Sequence, residues 1–184
     1  FVFILCFYMK VIYHGSAFMS YDPNPKDYVN GSFIIWHLVD VVAKGGLMQI
    51  GYGPDKDGEF HPLAVKALLE TGAWLKLNGE AIYSTRSVPV HWNDTESSFV
   101  RYTRSKDNTT LFAIALLGFG GPTVIEETLT LACVNVKPDS DIFLFGWEPK
   151  LEYKVDTTTG KTTIQIPKEA FPDLISPGYA LKIS

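Results

Sequence analysis

The chain has 184 residues, of which 46% are hydrophobic and 20% charged, with a formal net charge of −4. That length supports one large or two small domains with a real core, and an acidic balance without a basic patch argues against nucleic acid as a partner. Two cysteines, Cys6 and Cys133, and four scattered histidines (His14, His37, His61 and His91) make neither a disulfide framework nor a ligand set, so two free thiols and no metal or cofactor are expected.

The chain opens on the apolar run FVFILCFYMKVIYHG. It lacks an initiator methionine and a basic flank, and Lys10 interrupts it before a spanning length is reached. No membrane span and no signal peptide are expected, and the run reads as a chain that starts inside a larger protein. Next, SFIIWHLVDVVAKGG has helical periodicity: Phe33, Trp36, Val39 and Ala43 share a stripe, with Ile35, Leu38 and Val42 beside it. Lys44 suits the end of that helix and Gly45 its cap.

LMQIGY then reads as a buried strand, and GPDKDG as the turn at its carboxyl end. The glycines here do not cradle a phosphate. Gly46 and Gly51 have P-loop separation, but Tyr52 stands where the lysine must reach the phosphates. Gly51 and Gly53 begin a dinucleotide fingerprint whose third glycine is replaced by Lys56. A calcium loop starting at Asp55 would place Lys66 where a bidentate glutamate belongs. HPLAVKALLETGAWLKLNG predicts a second helix, with Pro62 in its first turn, Gly79 at its stop, and an apolar stripe of Val65, Leu68, Leu69, Gly72 and Leu75. Helix, strand, turn and helix form the unit of a parallel sheet or a (β/α) barrel.

Beyond residue 79 the period changes to two. SFVRYTRS turns Val100 and Tyr102 one way, and TLFAIALL is apolar on both faces, as a central strand would be. ETLTLACV (Leu129, Leu131 and Cys133 inward), DIFLFG, LEYKV (Leu151, Tyr153, Val155), TTIQI (Ile164, Ile166) and YALKI (Tyr179, Leu181, Ile183) follow between turn signals. Short strands at this spacing predict an antiparallel β-sandwich. The fold class is therefore α+β: a terminal βα unit of a TIM-type barrel followed by an antiparallel sandwich. Residues 1–79 are assigned to the barrel remnant, 80–92 to the junction and 93–184 to the sandwich.

HLVDVVAKGG, then GPDKDG, then GAWLKLNGEAIYSTR together resemble the end of the catalytic barrel in the α-L-fucosidases of glycoside hydrolase family 29. The resemblance runs from about Leu38 to Arg86. It implies that LMQIGY is the last barrel strand, GPDKDG the loop on the active-site face, and EAIYSTR the entry to the sandwich. The family pattern has asparagine where this chain has Leu47 and Gly51. Upstream, Met19-Ser20-Tyr21-Asp22 resembles the family's aromatic-G-Y-N segment. Phe18 beside it is then a candidate substrate-binding residue that would line the apolar face of fucose.

The resemblance further implies an intact parent that hydrolyses terminal α-L-fucose from glycans with retention, through an Asp nucleophile and a Glu acid/base on earlier strands. No residue of this chain inherits a catalytic role, so the chain alone is expected to be inactive, with fucosylated glycans reached only through the parent. A homo-oligomer is left open. Asp55 and Asp57 read as solvated turn acids, Asp40 as a surface or capping acid, and Glu80 as a hydrogen-bonding group at the junction. Glu126 and Glu127 read as pointing to opposite faces of a strand. The alternative is a non-catalytic module, either structural or carrying Trp92 and Trp147 as sugar platforms.

Three of the six asparagines, Asn30, Asn93 and Asn108, stand in N-x-[ST] sequons. They are candidate glycosylation sites and point to a secretory, lysosomal or extracellular, location. Without the rest of a barrel, Leu47, Met48, Ile50 and Tyr52 would each forfeit roughly 1.5–3 kcal/mol of burial. The first part of the chain is thus expected to be sticky or poorly ordered alone, and the antiparallel part to be able to fold by itself.

Overall fold

A computed structural model describes residues 9–13, 21–118, 122–173 and 177–184. Cys6, His14 and Phe18, each assigned a reading above, lie outside the described residues. The chain is α+β. Strand β1 (Met9–Tyr13) leads to helix α1 (Gly31–Ala43), strand β2 (Leu47–Gly51) and helix α2 (Pro62–Asn78). Eight strands follow: β3 (Arg86–Ser87), β4 (Val100–Arg104), β5 (Leu111–Leu116), β6 (Thr128–Leu131), β7 (Ile142–Leu144), β8 (Tyr153–Val155), β9 (Thr162–Gln165) and β10 (Gly178–Ile183).

β1 and β2 pair in parallel, with Met9 opposite Leu47 and Tyr13 opposite Gly51. Sequence reading left β1 unassigned, because its apolar neighbours give no period. Asn30 begins α1 by accepting a 2.9 Å hydrogen bond from Phe33 N. α1 ends in a Schellman turn: Gly46 N donates to Val41 O and Gly45 N to Val42 O, with Gly45 at φ +78°. That turn delivers the chain directly into β2.

The other strands build two antiparallel sheets. One has the order β3-β4-β5-β10-β7 and the other β6-β9-β8. Val100, Tyr102, Ala113, Ala115 and Leu181 of the first meet Leu129, Leu131, Ile164 and Ile166 of the second in one core. The alternate residues of β5 (Phe112, Ile114 and Leu116) and Ala180 enter a second core, against Ile35 and Val39 of α1 and Trp74 of α2. β5 is apolar on both faces because both faces are covered. Three hydrogen bonds stitch this second core: Trp36 Nε1 to Leu117 O at 3.0 Å, Trp74 Nε1 to Gly178 O at 2.7 Å, and Ala180 N to Asn78 Oδ1 at 3.1 Å. The shared core runs against the expectation that the antiparallel part folds alone, since its helix-facing side would then be bare.

Two sequence expectations need correction. β2 is not buried: Leu47 is 63% exposed, and Met48, Gln49 and Ile50 are also reached by solvent. Among the described residues its sheet has only two strands, and Leu47 and Gln49 stand open to solvent. In α2 the buried line is Ala64, Ala67, Thr71, Trp74 and Asn78, while the predicted stripe of Val65, Leu68 and Leu69 faces outward. The cause is close helix contact. Gly31 of α1 donates its N–H to Glu70 Oε2 at 3.0 Å, and a Cβ on Gly31 would sit 2.5 Å from Glu70 Cβ. At that crossing Ala67 O also lies 3.1 Å from the same Cβ position, so a small residue of α2 faces α1 there while Leu68 and Leu69 lie outside. Leu69→Lys should therefore leave stability within about 0.5 kcal/mol of the parent in urea denaturation, while reducing self-association in size-exclusion chromatography.

Candidate functional site

The carboxyl ends of parallel strands are where α/β folds assemble their sites. Here that end is built from two segments, residues 21–28 after β1 and residues 52–61 after β2. Asp55 folds the second: its Oδ1 accepts Asp57 N and Glu59 N, both at 2.9 Å, and its own N–H donates to Glu59 O. Gly58 at φ +86° closes the turn. The chain then reaches His61, whose Nδ1 caps α2 by accepting Leu63 N at 3.2 Å. In the first segment Asp22 is buried and accepts Asn24 N at 2.8 Å, and Tyr28 Oη donates to Asp22 O at 2.8 Å.

These two turns bring four rings together. Tyr28 stacks on His61 with centroids 4.2 Å apart and on Tyr52 at 6.1 Å, and Tyr21 lies tilted 6.1 Å from His61. Burial pushes the Tyr52 phenol up to about 12 and raises that of Tyr28. Both therefore stay neutral at physiological pH. The arrangement is an aromatic wall, suited to packing against an apolar face. Among the described residues, no group of three or more His, Cys, Asp or Glu side chains is placed to hold a metal.

A family model described as Alpha-L-fucosidase matches residues 10–80, which include both segments of the wall. The chain is 31% identical over 141 residues to an Alpha-L-fucosidase of Branchiostoma floridae, a match covering 77% of this chain and 29% of that protein. The chain belongs to the α-L-fucosidase family. It is likewise 31% identical over 150 residues to the Tissue alpha-L-fucosidase of Homo sapiens, covering 80% of this chain and 30% of that one. The crystal structure of Thermotoga maritima alpha-fucosidase in complex with fucose superposes with a TM-score of 0.78 at 26% identity, covering 96% of this chain and 39% of that chain. The chain thus spans under a third of the length of these two curated relatives, with 29% and 30% of them matched.

In this member of the α-L-fucosidase family, the acids singled out from sequence have structural partners. Asp40 is no surface acid: it accepts Arg101 Nε of β4 at 2.8 Å and Lys44 Nζ at 2.6 Å, with its side chain only 14% exposed. Burial would raise its pKa, but the hydrogen bonds and charges of Lys44 and Arg101 outweigh that and hold it below the usual value. Trp92 lies beside this pair, with Lys44 Nζ 4.4 Å and Arg101 Cζ 5.1 Å from its ring centroid. Asp57 pairs with Lys56 at the surface, and Glu80 with Lys182 of β10 at 2.7 Å. Glu126 and Glu127 precede β6 instead of lying in it, so the strand-face argument does not apply to them.

Leu47, at a position where the family pattern has asparagine, opens β2 with its side chain exposed, and Gly51 is buried at the strand's end. Of the sequon residues, Asn30 and Asn108 are exposed, whereas Asn93 is half-buried and donates Nδ2 to Asp94 O at 3.3 Å. Tyr28, Tyr52 and His61 were missed as a group by sequence reasoning. The available signal was that two of them flank a turn directly after a predicted strand.

Proposed function

We propose that this chain forms the carboxyl-terminal part of an α-L-fucosidase that removes terminal α-L-fucose from glycans with retention of configuration. In this reading β1, α1, β2 and α2 close a catalytic (β/α) barrel, and the two antiparallel sheets form the sandwich behind it. The observation that carries the reading is the exposed strand β2, with Leu47 63% exposed at one end and an aromatic wall at the other. Parallel sheets are normally covered on both faces, and further barrel strands would supply that cover. The superposition on Thermotoga maritima alpha-fucosidase over 96% of this chain supports the same arrangement.

Retaining hydrolysis needs two carboxyl groups about 5 Å apart. The turn acids described above are committed to backbone N–H groups or lysines, so in this reading the reacting pair belongs to the rest of the barrel. Phe18 and the Tyr21–Tyr28–Tyr52–His61 wall would border the sugar pocket. Relatives that are tissue and plasma fucosidases support a lysosomal or extracellular location, with glycans carried at Asn30, Asn93 and Asn108. Among the described residues no helix is long and apolar enough to cross a membrane.

The purified chain should show no release of phenol from an aryl α-L-fucoside above the uncatalysed background. Turnover that co-purifies with the chain would overturn the assignment of the reacting carboxylates to another part of the barrel.

A further inference from the structure

An open cleft of about 460 Å³ lies between the β7–β8 connection and the segment leaving β9. Trp147 lines it, half-buried and also packed on the core between the antiparallel sheets. Glu152 and Gln165 line the same cleft, are exposed, and make no side-chain hydrogen bond or ion pair within the described protein. On its rim, Glu127 and Lys168 pair at 2.7 Å. None of these residues belongs to the aromatic wall at the parallel strands.

We propose that this cleft is a carbohydrate-binding site in which the Trp147 indole supports one neutral pyranose ring. The chemistry points to a sugar for three reasons. The C–H face of a pyranose is apolar and packs on an aromatic face by dispersion and hydrophobic contact. The hydroxyls at the ring edge need both acceptors and donors, which the Glu152 carboxylate and the Gln165 amide supply. Glu127, Glu152 and Glu169 against Lys150 and Lys168 leave the lining with one excess negative charge, three carboxylates less two ammoniums, which disfavours phosphate or sulfate ligands. The cleft falls within the range of small-ligand pockets, and its openness to solvent suits one residue of a longer glycan.

The site would hold a glycan without cleaving it, independently of whether a fucosidase barrel completes the molecule. The test is titration of the intact chain with lactose and with 2′-fucosyllactose, followed by NMR at the Trp147 indole N–H. Saturable shifts with both sugars are expected, with dissociation constants of roughly millimolar order. Trp147→Ala should abolish saturation or weaken it at least about tenfold. Glu152→Ala and Gln165→Ala, at exposed positions that leave the fold intact, should each weaken it severalfold. The proposal is overturned by absence of saturation up to about 50 mM sugar, or by saturation that persists unchanged in Glu152→Ala and Gln165→Ala. Binding confined to the fucosylated sugar and indifferent to Trp147 would also overturn it, by placing recognition elsewhere. A negative result leaves the fucoside assay above untouched, because the two sites share no residue.

Discussion

Replacing Asp94 with alanine should destabilise the chain by about 3–5 kcal/mol, measured by urea denaturation at neutral pH. The Asp94 carboxylate is fully buried. Its Oδ1 accepts Glu96 N at 2.8 Å and Ser97 N at 2.9 Å. Its Oδ2 accepts Tyr102 Oη at 2.7 Å, Ala132 N at 2.7 Å and Cys133 N at 3.0 Å. One side chain thus ties the start of β4 to the end of β6, across the two antiparallel sheets. Alanine strands several N–H donors and a buried phenol. Asparagine should do little better, because its NH₂ would face donors.

The same site sets a pH dependence. Burial would raise the Asp94 pKa, but the hydrogen bonds from Ser97, Tyr102, Ala132 and Cys133 outweigh it and hold the carboxyl below its usual value. A depressed folded-state pKa gives stability that is fully present above the unfolded value near 3.9 and is lost as pH falls through the folded value. Asp40 acts in the same direction. Denaturation midpoints should therefore fall steeply below about pH 4, and less steeply in Asp94→Ala. An unchanged acid slope in that variant would show that other carboxylates carry the effect.

Trp74→Ala is the second large effect, expected at about 3–5 kcal/mol. Trp74 is fully buried and its indole N–H reaches across to Gly178 O of β10. The change removes packing against the helix-facing side of the five-stranded sheet together with one buried hydrogen bond. Because this core joins the helices to that sheet, one cooperative transition is expected, with helix and strand signals shifting together. Separate transitions for the two signals would show that the halves unfold independently. A chain starting after α2 would bare Phe112, Ile114 and Leu116, and should aggregate instead of folding alone.

How far the sequence disclosed this arrangement depends on what each residue pattern reports. The two helices, β2 and the strands from β4 onward follow from period and turn chemistry, and Gly45 foretold the Schellman turn. The face of α2 was not legible: periodicity finds the most apolar stripe, while close approach to Gly31 put Ala67, and not a leucine, at the helix crossing. β1 lacked any alternation to read. Asp40 looked like a surface acid because its partner Arg101 lies 61 residues away in the chain. The aromatic wall escaped notice for the same reason, since Tyr28 and His61 meet only once two separate turns have closed.

The Asp40–Arg101 pair has one more effect. Asp40 is in the last turn of α1, one Schellman turn before β2, and β2 runs straight into Tyr52. Anchoring that turn to β4 makes the antiparallel part a mechanical reference for the wall at the far end of β2. On the fucosidase reading proposed above, a sheet remote from the reacting carboxylates would then govern how accurately a sugar is seated, and loosening it should blur recognition before it touches any chemistry.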